Sequence, residues 1–158
     1  MPQIEDTDFR SLDSFPLKWR WDDFQWNRFP NEVLNTIRPL SESKARELCQ
    51  YSLGCTNQSG LVESLFERIS QIDTSEDSPA IRQWLLECST DLNQAVAVSW
   101  DHDLAILVRW EVFCDYWKDF CYPSADDVAV FPLSGKWMLF YSHDEYFTFG
   151  EIDNHGAA

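Results

Sequence analysis

The chain has 158 residues, 44% of them hydrophobic and 15% aromatic, with 27 Asp and Glu against 12 Lys and Arg, a formal net charge of −15 and a pI near 4.3. That length suits one domain, which buries about 70% of the surface its unfolded chain exposes, and eight Trp with eleven Phe exclude a disordered acidic chain. The charge disfavours nucleic acid and anionic lipid as direct partners and favours a basic protein surface.

Residues 15–29 hold Phe15, Trp19, Trp21, Phe24, Trp26 and Phe29. The Lys18-Trp19-Arg20-Trp21 alternation predicts a short extended stretch with both Trp on one face and Lys18 and Arg20 in solvent. A stacking platform for bases or sugars is one use of such a segment; a hydrophobic lid over a helical layer is the preferred one. Asn31 to Arg38 reads as a short helix stopped by Pro39, and Ser41 caps a second helix ending near Leu53 and Gly54. Leu61, Leu65, Ile69 and Ile72 fall at helical spacing and predict a third helix over 60–72. Ser78 at the N-cap and Pro79 at the first helical position open a fourth, with Ile81, Trp84, Leu85 and Cys88 on its apolar face.

Beyond Asn93 the pattern becomes β-like. Ala95 to Trp100 and Leu104 to Val108 are apolar runs joined by an Asp101-His102-Asp103 turn. Trp110, Phe113, Cys114, Trp117 and Cys121 return to helical spacing, with Glu111, Asp115, Lys118 and Asp119 opposite them. Val128 to Phe131, Lys136 to Tyr141 and Tyr146 to Phe149 close the chain as three strands. The expected fold is α+β: an N-terminal helical layer packed on a C-terminal antiparallel sheet of four to five strands. One domain is expected over 1–152, with a disordered tail over 153–158 that includes His155.

Five scattered cysteines (Cys49, Cys55, Cys88, Cys114, Cys121) are odd in number and sit mostly within apolar patterns, which predicts reduced, unpaired thiols in a reducing cytoplasm. Met1 to Arg10 is polar and acidic, unlike a signal peptide, and no apolar run approaches the ~18 residues of a membrane span. His and Cys lack metal-ligand spacing, and no Gly-rich phosphate loop or nucleophile motif is present, so no cofactor, metal or catalytic residue is expected. His102 and His143 each lie beside carboxylates in a turn. If those turns converged they would form a cluster fit for hydrolysis; solvated turn formers are the preferred explanation.

Acidity rises along the chain. Residues 1–47 carry nine acids and seven bases, 48–100 seven and two, and 101–158 eleven and three. The candidate partner surface is therefore placed in the second half, on Asp101, Asp103, Glu111, Asp115, Asp119, Asp126 and Asp127, with Tyr116 and Tyr122 as aromatic anchors.

The ending Gly135-Lys136-Trp137-Met138-Leu139-Phe140-Tyr141, followed by Tyr146-Phe147-Thr148-Phe149-Gly150, resembles the closing hairpins of immunity proteins of bacterial polymorphic-toxin and contact-dependent systems. The resemblance covers about the last third of the chain. It implies a cytoplasmic, non-enzymatic inhibitor that occludes a basic toxin or effector. Two alternatives stand beside it: an acidic mimic of nucleic acid that blocks a nuclease or DNA-binding complex, and a small hydrolase using the His102 and His143 turns.

Overall fold

A computed structural model describes residues 1–58 and 60–152. In chain order it contains β1 (Asp22–Asp23), β2 (Asn27–Arg28), α1 (Asn31–Leu34), β3 (Arg38–Pro39), α2 (Glu42–Leu53), β4 (Thr56–Asn57), β5 (Gly60–Leu61), β6 (Phe66–Asp73) and α3 (Pro79–Cys88). There follow β7 (Ala95–Asp101), β8 (Leu104–Arg109), α4 (Trp110–Phe120), β9 (Val128–Pro132), β10 (Trp137–Ser142) and β11 (Tyr146–Ile152). Seven strands form one antiparallel sheet in the order β3-β8-β7-β9-β10-β11-β6, and the hairpins β1–β2 and β4–β5 stand outside it.

Alternate strand residues point to opposite faces, and here each face has its own cover. On one face Val96, Val98, Ile106, Val108, Val130 and Phe147 join Ile81 and Leu85 of α3 and Phe113 and Trp117 of α4 in one cluster. On the other, Ala97, Ala105, Ala129, Phe131 and Met138 join Ala45 and Leu48 of α2. The three small alanines leave room for α2 over the sheet centre. Burial on both faces is why β7, β8 and β9 read as nearly unbroken apolar runs rather than as alternating ones.

The caps fall where their chemistry requires. Ser41 Oγ accepts the Lys44 N–H at 3.2 Å and starts α2; Ser78 Oγ accepts the Ala80 N–H at 3.1 Å and starts α3, with Pro79 first in the helix. At the other end of α4, two indoles satisfy carbonyls that the helix leaves without partners. Trp21 Nε1 donates to the Asp119 carbonyl at 3.0 Å and Trp100 Nε1 to that of Phe120 at 2.7 Å. Phe15 stacks on Trp21, and both meet Trp100. Phe15 and Trp21 of the aromatic N-terminal segment are thereby built into the core beside the end of α4.

Three expectations are corrected. The chain is α+β, but it has no N-terminal helical layer on a C-terminal sheet: α2 and α3 lie on opposite faces, helices are spread through the chain, and the sheet has seven strands. The helix expected over 60–72 is instead β5, a 3-10 turn (Glu63–Leu65) and β6, because β6 pairs with β11 along most of its length. Of the residues that suggested it, Leu65 and Ile69 are exposed while Leu61 is buried, so they share no single buried face. Lys18–Arg20 is a 3-10 turn rather than an extended stretch, so Trp21 is fully buried while Trp19 is 43% exposed, and Arg20 is buried instead of in solvent. The tail expected over 153–158 lies outside the described residues.

No helix among the described residues is long and apolar enough to cross a membrane. All five cysteines are unpaired. Burial raises each thiol's pKa, that of Cys88 to about 12, and those of Cys114 and Cys121 rise as well. Alkylation of the native protein at pH 8 is accordingly expected to reach half-buried Cys49 first, and mass spectrometry should count five modified thiols only in denaturant. A denatured count of three without added oxidant would contradict the unpaired assignment.

Candidate functional site

The antiparallel order sets which loops share an end of the sheet. β7 and β10 both run toward the same end, so the Asp101 to Asp103 turn, the Ser142 to Glu145 turn and the Asp126-Asp127 segment that enters β9 all lie there. The C-terminal end of α4 arrives at the same place through the bond from Trp100, and the β1–β2 hairpin through the bond from Trp21.

That hairpin carries an exposed aromatic surface. Phe24 is 86% exposed and Trp26 65%, and Trp19, in the 3-10 turn that precedes the hairpin, is also exposed. The Trp19 and Trp26 rings lie 6.2 Å apart, and Trp19 meets Tyr122 edge-on at 6.0 Å. Trp26 Nε1 donates to the Tyr122 hydroxyl at 3.3 Å. The arrangement is held from below by Arg20, whose guanidinium lies 4.0 Å from the centre of the Tyr122 ring and donates to both carboxylate oxygens of Asp126, at 2.7 and 3.2 Å. Asp126 also accepts the Tyr122 N–H at 2.9 Å. On the hairpin itself Arg28 pairs with Asp22 and lies over the Phe24 ring at 4.5 Å.

The residues singled out in the sequence divide into three groups. Asp101, Asp103, Asp119, Tyr122, Asp126 and Asp127 gather at this end of the sheet. Asp126 is committed to Arg20, with only 11% of its side chain exposed. Asp119 is half-buried and accepts from Asn27 Nδ2 at 2.9 Å; burial is the chief cause of its raised pKa. Asp101, Asp103 and Asp127 form no ion pair with Lys or Arg among the described residues. Glu111 lies in the first turn of α4 and Asp115 at its middle, where Arg109 reaches Glu111 at 3.8 Å and Arg82 binds Asp115 at 2.7 Å. Tyr116 packs its ring 4.5 Å from that of Phe29 and is half-buried. The Lys18 to Trp21 alternation assigned Trp19 to a lid, and Trp26 was assigned to no site; the signal available for both was the number of aromatics within one short segment.

The two histidine turns lie at the same end of the sheet, and each histidine pairs with its own carboxylate. β9 stands between β7 and β10, which puts those strands roughly 10 Å apart at about 4.8 Å per strand. His102 Nδ1 lies 3.0 Å from Asp101, and His143 Nδ1 lies 3.0 Å from Asp127. Among the described residues no group of three or more His, Cys, Asp or Glu is placed to hold a metal ion. The hydrogen bond to Asp127 is the main cause of a raised His143 pKa, helped by the charges of Asp127 and Asp144. Because the folded value is raised, the contribution of His143 to stability is full below the unfolded value near 6.5 and is lost as pH rises through the folded one. Asp127→Asn should bring the His143 titration, followed by NMR of its ring protons, down toward that ordinary value; an unchanged titration would exclude Asp127 as the cause.

No protein-family model, curated protein or solved structure matches the chain.

Proposed function

We propose that this chain is a protein-binding domain of the immunity-inhibitor kind, which occludes a basic protein partner by docking the hairpin end of its sheet against it in a reducing compartment such as the cytoplasm. One observation carries the proposal: Phe24 and Trp26 on a braced hairpin and Trp19 in the turn before it are exposed at the same end of the sheet as Asp101, Asp103 and Asp127, which pair with no Lys or Arg among the described residues. Burying a large aromatic side chain is worth about 2 kcal/mol or more. The same segment buries Trp21 completely, so leaving three such rings in water forgoes stability that the fold could have gained. Exposed Trp anchored by Arg and Tyr is the composition of interface hot spots, and it supplies the affinity that an acidic rim alone does not. The net charge of −15 steers basic surfaces toward the domain and repels phosphate.

A photo-crosslinking amino acid at position 26, introduced in the cells that make the protein, tests this. The expected adduct is one protein of basic isoelectric point, and its formation should be suppressed by Trp19→Ala. Adducts with an acidic protein or with nucleic acid, or an adduct indifferent to Trp19→Ala, would contradict the proposal.

A further inference from the structure

The two edges of the sheet are built differently. β3 is two residues long and contains Pro39, which has no N–H to offer, a common way to blunt an edge. β6 is eight residues long. Its register with β11 shows which backbone groups face away. The Thr74 N–H donates to the Glu145 carbonyl at 2.8 Å, so Thr74, Ile72 and Ser70 direct their amides at β11, and Asp73, Gln71 and Ile69 direct theirs outward. No backbone hydrogen bond joins those three to any described element beyond β11.

A recess flanks this edge on each face. One of about 510 Å³ is lined by Leu61, Val62, Ile69, Gln71 and Thr148 among others. The other, about 230 Å³, is lined by Arg68, Ser70, Trp84, Glu87 and Glu151 among others. A row of unpaired backbone groups with pockets on alternate faces is the architecture that accepts an added strand: the main chain supplies affinity, and alternate side chains supply selectivity.

We propose that the edge of β6 docks an extended, basic segment of a protein partner as an eighth, antiparallel strand. Directly opposed residues of such a pair share a face. Residues whose amides bond to Ile69 and Gln71 therefore direct their side chains toward Leu61 and Val62 and must be apolar. The residues between them face Glu151, already paired with Arg68 at 3.0 Å, and Glu87, which has no Lys or Arg partner among the described residues, and are Lys or Arg. A second copy of this chain would bring another charge of −15 to the same edge, which disfavours it as the occupant. The proposal is independent of the hairpin surface, and variants there separate the two.

The probe is an end-blocked eight-residue peptide of alternating lysine and valine, with two N-methylated versions of it, titrated into the whole protein and followed by NMR and amide exchange. The parent peptide is expected to bind and to protect the amides of Ile69, Gln71 and Asp73. Methylation of the valine amides should weaken binding about tenfold or more, because those amides face β6, whereas methylation of the lysine amides should leave it unchanged. The Trp19→Ala, Trp26→Ala protein should bind the peptide as the parent protein does. Equal binding by both methylated peptides would reduce the contact to charge alone and overturn the proposal. So would absence of binding, or sedimentation of the protein as a dimer with those three amides already protected.

Discussion

Replacing Asp126 with alanine is expected to lower stability by about 3–5 kcal/mol, the cost of leaving a buried charge without its partner. Arg20 and Asp126 have side chains only 7% and 11% exposed and are joined by two hydrogen bonds. Asp126 also holds the backbone N–H of Tyr122. Without the carboxylate, Arg20 retains its charge beneath the Tyr122 ring, and the loop leading into β9 loses its tie to the N-terminal segment 106 residues away. Thermal unfolding should move down by roughly 10 °C or more. The double replacement Arg20→Met, Asp126→Leu should recover most of the loss, since apolar residues of similar volume commonly replace a buried ion pair without penalty. A single variant as stable as the parent would show that the pair does not hold this end together. The same prediction removes Asp126 from the residues available to a partner, although its position in an acidic stretch suggested otherwise.

Replacing Trp19 and Trp26 together with alanine should leave the fold nearly intact and weaken partner binding about 100-fold or more. Exposed side chains contribute little to stability, so a loss within about 1 kcal/mol is expected. Truncating a hot-spot Trp costs about 2 kcal/mol or more of binding energy, and two of them make at least a hundredfold change in Kd. The comparison is Glu42→Lys with Glu47→Lys on α2, where both acids already pair with Arg46 or Lys44. Calorimetry with the purified partner gives both numbers. Equal losses from the two sets, or a Trp variant that unfolds, would remove the reason for placing the interface on the hairpin.

The parts of this fold legible in the sequence are those where local chemistry and tertiary environment agree. Ser78-Pro79 punctuates α3, Ser41 caps α2, and the β7 to β11 strands are apolar enough to be recognised without their neighbours. β6 was illegible because an edge strand buries little. Its middle residues Arg68 to Gln71 are exposed, so no period-2 pattern was imprinted on them, and Leu61, Leu65, Ile69 and Ile72 mimicked a helix by spacing alone. β3 was illegible because two residues carry no period at all.

At the candidate site the acids were legible and their partners were not. Nothing local to Arg20 announces a bond to residue 126, and Arg82 reaches Asp115 only because α3 packs beside α4. The exposed tryptophans were hidden by a general expectation: large aromatics are usually interior, and Trp21, between Trp19 and Trp26 in the chain, obeys it while they do not.

Stopped-flow association with the purified partner, measured across ionic strength, bears most directly on whether acidic steering and aromatic anchoring act together. For the parent protein the rate should fall steeply as salt shortens the screening length toward about 8 Å at physiological ionic strength. Asp101→Asn with Asp103→Asn and Asp127→Asn should flatten that dependence while leaving dissociation almost unchanged. The Trp19→Ala, Trp26→Ala protein should keep the steep dependence and dissociate faster. An association rate insensitive to salt in the parent protein, or one that the three Asn replacements leave as steep as before, would contradict docking of a basic partner at this end of the sheet.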